Sequence, residues 1–212
     1  ALWITGDLQW PALHLDAPLA QGSPLRQWLL DLPNGPGNAG VPRAPFLILV
    51  DGDLHIDGAL TSDDTDGTTH LIVNGNAQMH DAVIGGQLVC VQGRLCVDRL
   101  LWGHYNHGEL RVRGGLQARV ALFTDEYHVD IAGPEQVEFL LDEVRGVPNR
   151  AEFSTEIVGA VFAPESPFRL LHLGDGARQR LAQALLVQRL GVRQSHEDVG
   201  AEPVEVREGV DH

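Results

Sequence analysis

Between Leu100 and Leu110 the chain reads "LLWGHYNHGEL", with His104, Tyr105 and His107 enclosed by Gly103 and Gly108. Two imidazoles at this spacing, with carboxylates in reach, are the groups that hold zinc or another divalent ion, and histidine is also the commonest general base. Residues of the same kind stand at His70, His128, Asp125 and Glu126, and "DDTDG" adds Asp63, Asp64 and Asp66. That acidic run matches part of a calcium loop, but no Glu follows where the bidentate ligand belongs. No cysteine joins the histidines, and the chain contains no nucleotide-binding loop, no GxSxG elbow and no serine triad. These residues therefore imply no cofactor, no metal and no catalytic group. The plainer reading of Gly103, Asn106 and Gly108 is a corner that accepts positive φ, with His and Tyr rings stacked across adjacent chain segments.

What would position such a corner is a repeat. Four segments align on a glycine: "ILVDGDLHIDGAL", "LIVNGNAQMHDAV", "VCVQGRLCVDRLL" and "LRVRGGLQARVAL", centred on Gly52, Gly75, Gly93 and Gly114. Two residues before each stand Val50, Val73, Val91 and Val112; two after come Leu54, Ala77, Leu95 and Leu116. The intervening positions are mostly polar, which is the period of two expected of strands with one buried face. Eight after the glycines come Leu60, Val83, Leu101 and Leu122, read as a further inward position. Leu71, Ala77, Val83, Val89, Leu95 and Leu101 recur every six residues, and Gly75 and Gly93 stand 18 apart. A chain that turns a corner every six residues and rejoins itself after three sides is a parallel β-solenoid, each coil about 4.8 Å above the last. The fold expected is mainly β: a single-stranded, three-sided parallel β-helix over residues 46–133, with a helical C-terminal cap. A further coil is indicated at "LWITGDL" and another at Val129, Ile131 and Gly133.

The coils differ in length. Gly52 to Gly75 spans 23 residues, Gly93 to Gly114 spans 21 and Gly114 to Gly133 spans 19. The extra residues all follow the last aligned apolar position, which gathers residues 61–70, 103–108 and 124–128 on one edge. Insertions collected on one face of a solenoid usually mark its working surface. The expected partner-binding edge is Asp63, Asp64, Asp66, His70, His104, Tyr105, His107, Asp125, Glu126 and His128.

Formal net charge is −14, and all 15 cationic residues are Arg. Such a chain is a poor ligand for nucleic acid or anionic membranes, which are bound through cations, and a good one for a basic protein. The two cysteines, Cys90 and Cys96, are too few for a disulfide framework and fit a reducing cytoplasm. Around the coils, residues 1–45 form an N-terminal flank in which "SPLRQWLLDL" has a short helical stripe. In "GPEQVEFLLDEVRG", Val137, Leu140, Leu141 and Val144 read as a helix within a flank spanning 134–192, and a second helix is expected after Asp175. "PNGPGNAGVPRAP" is a connector, and residues 193–212, with six acids against two Arg, read as a disordered tail. An outward apolar row, Leu49, Ile72 and Cys90, calls for a helix or a chain terminus to cover it.

The "GDL" and "GRL" turns between short aliphatic strands resemble bactofilins, bacterial polymer-forming cytoskeletal β-helix proteins; this implies a self-assembling structural role and homo-oligomers. "YNHGELRVRGGLQARV", continued by "FTDEYHV", also resembles β-solenoid proteins encoded in bacterial polymorphic-toxin regions. That resemblance implies an immunity protein, which would neutralise a cognate basic toxin by direct binding. A coil-shaped acyltransferase is a third class, although Asp51, Asn74, Gln92 and Arg113 stand where those enzymes carry a small residue.

Overall fold

The computed structural model describes residues 1–31, 45–67, 69–142 and 144–145. They form a parallel β-solenoid of about five turns. The first sheet stacks six short strands in the order β1 (Leu2–Ile4), β4 (Leu47–Val50), β6 (His70–Val73), β8 (Leu88–Val91), β10 (Glu109–Val112) and β12 (His128–Ile131). The second stacks β2 (Leu8–Trp10), β5 (Leu54–Thr61), β7 (Ala77–Ile84), β9 (Leu95–His104), β11 (Leu116–Thr124) and β13 (Glu135–Asp142), with β3 (Leu13–His14) beside β5. The longer strands are broken at Ile56/Ala59, Met79/Asp81 and Ala118/Val120, where the ladder shifts register and the strand turns from one side of the prism to the next. Three sides per coil result, as the sixfold spacing implies.

The corner between the two sheets sets the stacking distance. Gly75 N donates to Gly52 O at 2.9 Å, Gly93 N to Gly75 O at 2.9 Å and Gly114 N to Gly93 O at 2.8 Å. A Cβ on Gly114 would fall 2.5 Å from the Gly93 carbonyl carbon, so only glycine lets one corner rest on another. Beside this column the side chains brace the backbone. Asp7 Oδ1 accepts from Asp53 N (2.9 Å), Asp53 Oδ1 from Asn76 N (2.7 Å) and Asn76 Oδ1 from Arg94 N (2.9 Å). Inside, Val50, Val73, Val91 and Val112 sit in register and are fully buried, as are Ile48, Leu71, Val89 and Leu110.

The other apolar position departs from the sixfold pattern. The register places Leu60, Ala82, Leu101 and Ala121 in one inward row, and pairs Val83 and Leu122 with Thr61 and Trp102 outside the interior cluster. The preceding corner uses two residues in some coils (Asp57–Gly58, Asp98–Arg99) and one in others (His80, Arg119). One residue fewer moves every later side chain to the opposite face. The outer row is nonetheless buried: Leu100, Val120, Trp102 and Leu122 are all at most 2% exposed. The expected outward row on the first sheet is partly covered, with Cys90 buried, Ile72 and Leu49 half-buried, and Trp3 at its end 69% exposed.

The ends correct a second expectation. "GPEQVEFLLDEVRG" is not helical over Glu135–Asp142: it is β13, paired with β11 from Leu116↔Glu135 to Phe123↔Asp142. With one residue at its corner, Val137 and Leu140 both face inward, and their spacing of three mimics a helix. At the other end α1 (Pro24–Asp31) forms where Ser23 Oγ accepts from Arg26 N at 3.2 Å and Pro24 supplies a first residue that needs no donor. Leu15, Leu19 and Leu25 enter the solenoid interior from this segment, and Trp28 meets Trp10 edge to face at 5.9 Å. The expected helix after Asp175, the connector at 33–44 and the tail from Arg193 lie outside the described residues.

Gly114→Ala is expected to lower stability by about 3 kcal/mol or more, because backbone rather than a side chain must move. Gln117→Ala, exposed on the neighbouring strand, should stay within about 0.5 kcal/mol. Urea unfolding midpoints at unchanged slope measure both.

Candidate functional site

Each coil leaves the second sheet and re-enters the first through a corner, and these corners lie one above another. Backbone bonds tie them: Gly86 N donates to Asp64 O (3.0 Å), Glu109 N to Gln87 O (3.0 Å) and His128 N to Gly108 O (3.2 Å). The first corner is organised by Asp16, a residue the sequence reading missed. Its carboxylate accepts from Ser62 Oγ (2.7 Å), Asp63 N (2.7 Å), Asp64 N (3.2 Å) and Gln87 Nε2 (3.0 Å). A signal existed, since Asp16 precedes Ser62 by the same 46 residues that separate Asp7 from Asp53.

The histidines do not converge. His70 Nδ1 accepts from Leu88 N at 3.0 Å and its ring meets Phe46 edge to face, so it braces a strand start. His104 is buried, tilted against Trp102 with ring centroids 4.8 Å apart. His107 packs edge to face on Tyr105 at 5.1 Å, and the exposed His128 places Nε2 3.5 Å from Glu109 Oε1. Among the described residues no three His, Cys, Asp or Glu side chains stand where they could share a metal ion. Cys90 and Cys96 are free thiols, and burial pushes the Cys96 thiol up from its ordinary pKa rather than towards a reactive thiolate.

The two glycines that frame "GHYNHG" are explained by a residue from the next coil. Tyr127 is fully buried and its ring fills the space a Cβ would need at both Gly103 and Gly108. It stacks on Phe123 at 10° between planes, and its hydroxyl has no hydrogen-bond partner among the described residues. Burial first, and the Glu109 carboxylate second, hold its ionisation far above the usual tyrosine range. The neighbouring bend is a tight turn: Asp125 (φ 55°) and Glu126 (φ 59°) are both left-handed, and Tyr127 N donates to Thr124 O at 3.1 Å. That is the primed hairpin-type turn, and both of its central residues are exposed.

No family model, curated protein or solved structure matches this chain. The geometry alone must say what the edge can do. Asp63, Asp66, His107, Asp125, Glu126 and His128 are exposed; Asp64, His70 and Tyr105 are half-buried, and His104 is buried. Among the described residues no ion pair engages Asp63, Asp66 or Glu126, whereas Arg99, Arg111, Arg113, Arg119 and Arg145 all meet carboxylates elsewhere. Among the described residues the edge therefore presents negative charge without ion-pair partners, on corners tied by backbone hydrogen bonds.

Asp16→Ala removes four hydrogen bonds to a charged acceptor and should cost about 2 kcal/mol, with faster amide exchange at Asp63 and Asp64; Asp66→Ala should change neither. Tyr127→Phe deletes an unpartnered buried hydroxyl and should raise stability by about 1 kcal/mol in thermal or urea unfolding. The wild-type chain should also lose stability as pH rises above about 10, because the unfolded tyrosine releases its proton there and the folded one does not. Tyr127→Phe should lose less over the same pH range.

Proposed function

We propose that this chain is a non-enzymatic protein-binding β-solenoid, an immunity or inhibitor protein that neutralises a bacterial toxin through its acidic corner edge. The observation that carries the reading is the unneutralised charge of Asp63, Asp66 and Glu126 on stacked, backbone-tied corners, in a chain of net charge −14. Blocking a basic protein needs complementary charge and about 1,600 Å² of buried surface, not catalytic groups. Rigid corners favour this use, since acids fixed in place lose little freedom when a partner docks. The reading places the protein in the cytoplasm with its target, which suits two unpaired thiols. Among the described residues no helix is long and apolar enough to cross a membrane.

Head-to-tail assembly of the bactofilin kind is a weaker reading. Leu15, Leu19 and Leu25 fill the end of the interior that an adjoining subunit would have to stack upon.

Co-expression with the product of the adjacent reading frame tests the proposal. Growth arrest by that product alone, relieved by this chain, is the expected result. Replacing Asp63, Asp66 and Glu126 together by Arg should weaken binding at least 100-fold, flatten its salt dependence and leave the circular dichroism unchanged. Unaltered rescue by the triple variant would remove the edge from the mechanism.

A further inference from the structure

The outer surface beside the first corner carries two adjoining depressions. The smaller, about 170 Å³, is apolar and lined by Trp10, Leu13, Pro18, Pro24 and Leu25. The larger, about 640 Å³, has Ala12, Gly58 and Ala59 among its lining and Asp63, His80, Asp81 and Arg99 as its polar groups. Both include Ala12, His14 and Thr61, so they form one groove with an apolar end and a charged end.

The sequence explains the groove. Ala59 occupies the outward row that holds Asp81, Leu100 and Val120 in later coils, so the wall of the prism is lowest here. Gly58 admits the Pro11 carbonyl, which a Cβ would meet at 2.7 Å, and brings the short β3 alongside. His14 is fixed at the junction by Thr61, with Nδ1 2.9 Å from Thr61 Oγ1 and Nε2 3.8 Å from Asp16 Oδ2. At the charged end Arg99 is spent on Asp81, which also accepts from Leu100 N at 3.3 Å. Asp63 donates its backbone N–H to Asp16, while among the described residues its own carboxylate enters no ion pair.

We infer that this groove binds an extended peptide segment of a basic protein, a bulky apolar side chain seated between Trp10 and Pro24 and a nearby Arg or Lys directed at Asp63. The inference deepens the protein-binding reading and rests on it. The larger depression falls within the roughly 300–1,000 Å³ of small-molecule pockets, which is room enough for a side chain or two of a peptide. The groove's two ends differ in polarity, and small residues beside His14 leave room for a main chain to pass. Charge complementarity chooses the occupant: among the described residues Asp81 is paired with Arg99 and Asp63 with no cation, and Asp63 adjoins the acidic corner. An apolar anchor beside a cation is how peptides are commonly held, the first giving affinity and the second direction.

The test is to pan a random peptide library displayed on phage against the full chain and measure a labelled consensus peptide by fluorescence anisotropy. Selected peptides should pair Leu, Met, Phe or Trp with a nearby Arg or Lys. Ala59→Arg, or the exposed Ala12→Arg should the first variant fold poorly, should weaken the consensus peptide at least 10-fold. Asp63→Asn should weaken it about threefold and reduce its salt dependence, while Gln117→Arg, at an exposed site on a distant coil, should leave it unchanged. No enrichment, peptides without this pairing, or binding indifferent to both Arg variants overturns the inference. So does self-association of the wild-type chain that Ala59→Arg abolishes, which would make a second copy the occupant. Peptides selected as described while an Asp66→Arg/Glu126→Arg double variant, which leaves Asp63 in place, still rescues growth would uphold the groove and reject the edge. Failed selection with that double variant no longer rescuing would do the reverse.

Discussion

Everything in this fold depends on how closely one corner can lie on the next. At the column Gly52, Gly75, Gly93 and Gly114 the backbones meet with no room for a side chain, and the N–H groups of Gly75, Gly93 and Gly114 each find the carbonyl one coil away. That contact fixes the strand spacing, and the spacing then aligns the valines on either side. Hydrophobic burial supplies the driving force, but it is undirected. The corner turns it into a register, and a parallel stack slipped by one residue would send its valines into water. Asp7, Asp53 and Asn76 strengthen the same register by handing each backbone N–H to a side chain of the coil before it.

On the opposite edge the chain faces a harder problem, because longer corners cannot all be paired backbone to backbone. The answer is a set of buried polar side chains: Ser62 and Gln87 both donate to Asp16, and His104 pairs in register with Thr124 one coil on. Trp102 Nε1 reaches Thr124 Oγ1 at 3.0 Å, so an apolar residue on the outer row also braces this edge. Rigid corners of this kind can hold charges apart from any counter-ion. In a flexible loop, Asp63, Asp66 and Glu126 would drift towards the nearest guanidinium.

Much of the solenoid was legible because inward positions tolerate no polar residue and the corner tolerates only glycine. The misreadings share one cause. A side that turns on one residue instead of two shortens the spacing of inward side chains from four to three, as from Met79 to Ala82 or from Val137 to Leu140. Sixfold counting then puts Val83 and Leu122 inside, and the last strand looks like a helix. The edge was legible as a location but not as a structure. Nothing in "TDEYH" marks its tyrosine as core, because what buries it is two glycines of the preceding coil. The histidines drew attention through their chemistry, yet their separate tasks follow from backbone groups that a sequence does not display. The groove was invisible for the same reason: small residues such as Ala59 carry no signal until their neighbours in the stack are known.

Asp16 has a consequence for the order in which the molecule can be completed. Its carboxylate meets Ser62 46 residues later and Gln87 71 residues later. On a ribosome making the chain from its N-terminus, that carboxylate waits in water until two more coils have emerged. The first coil is thus closed by its successors, and the acidic corner takes its final form only when the nascent chain has committed to a stack.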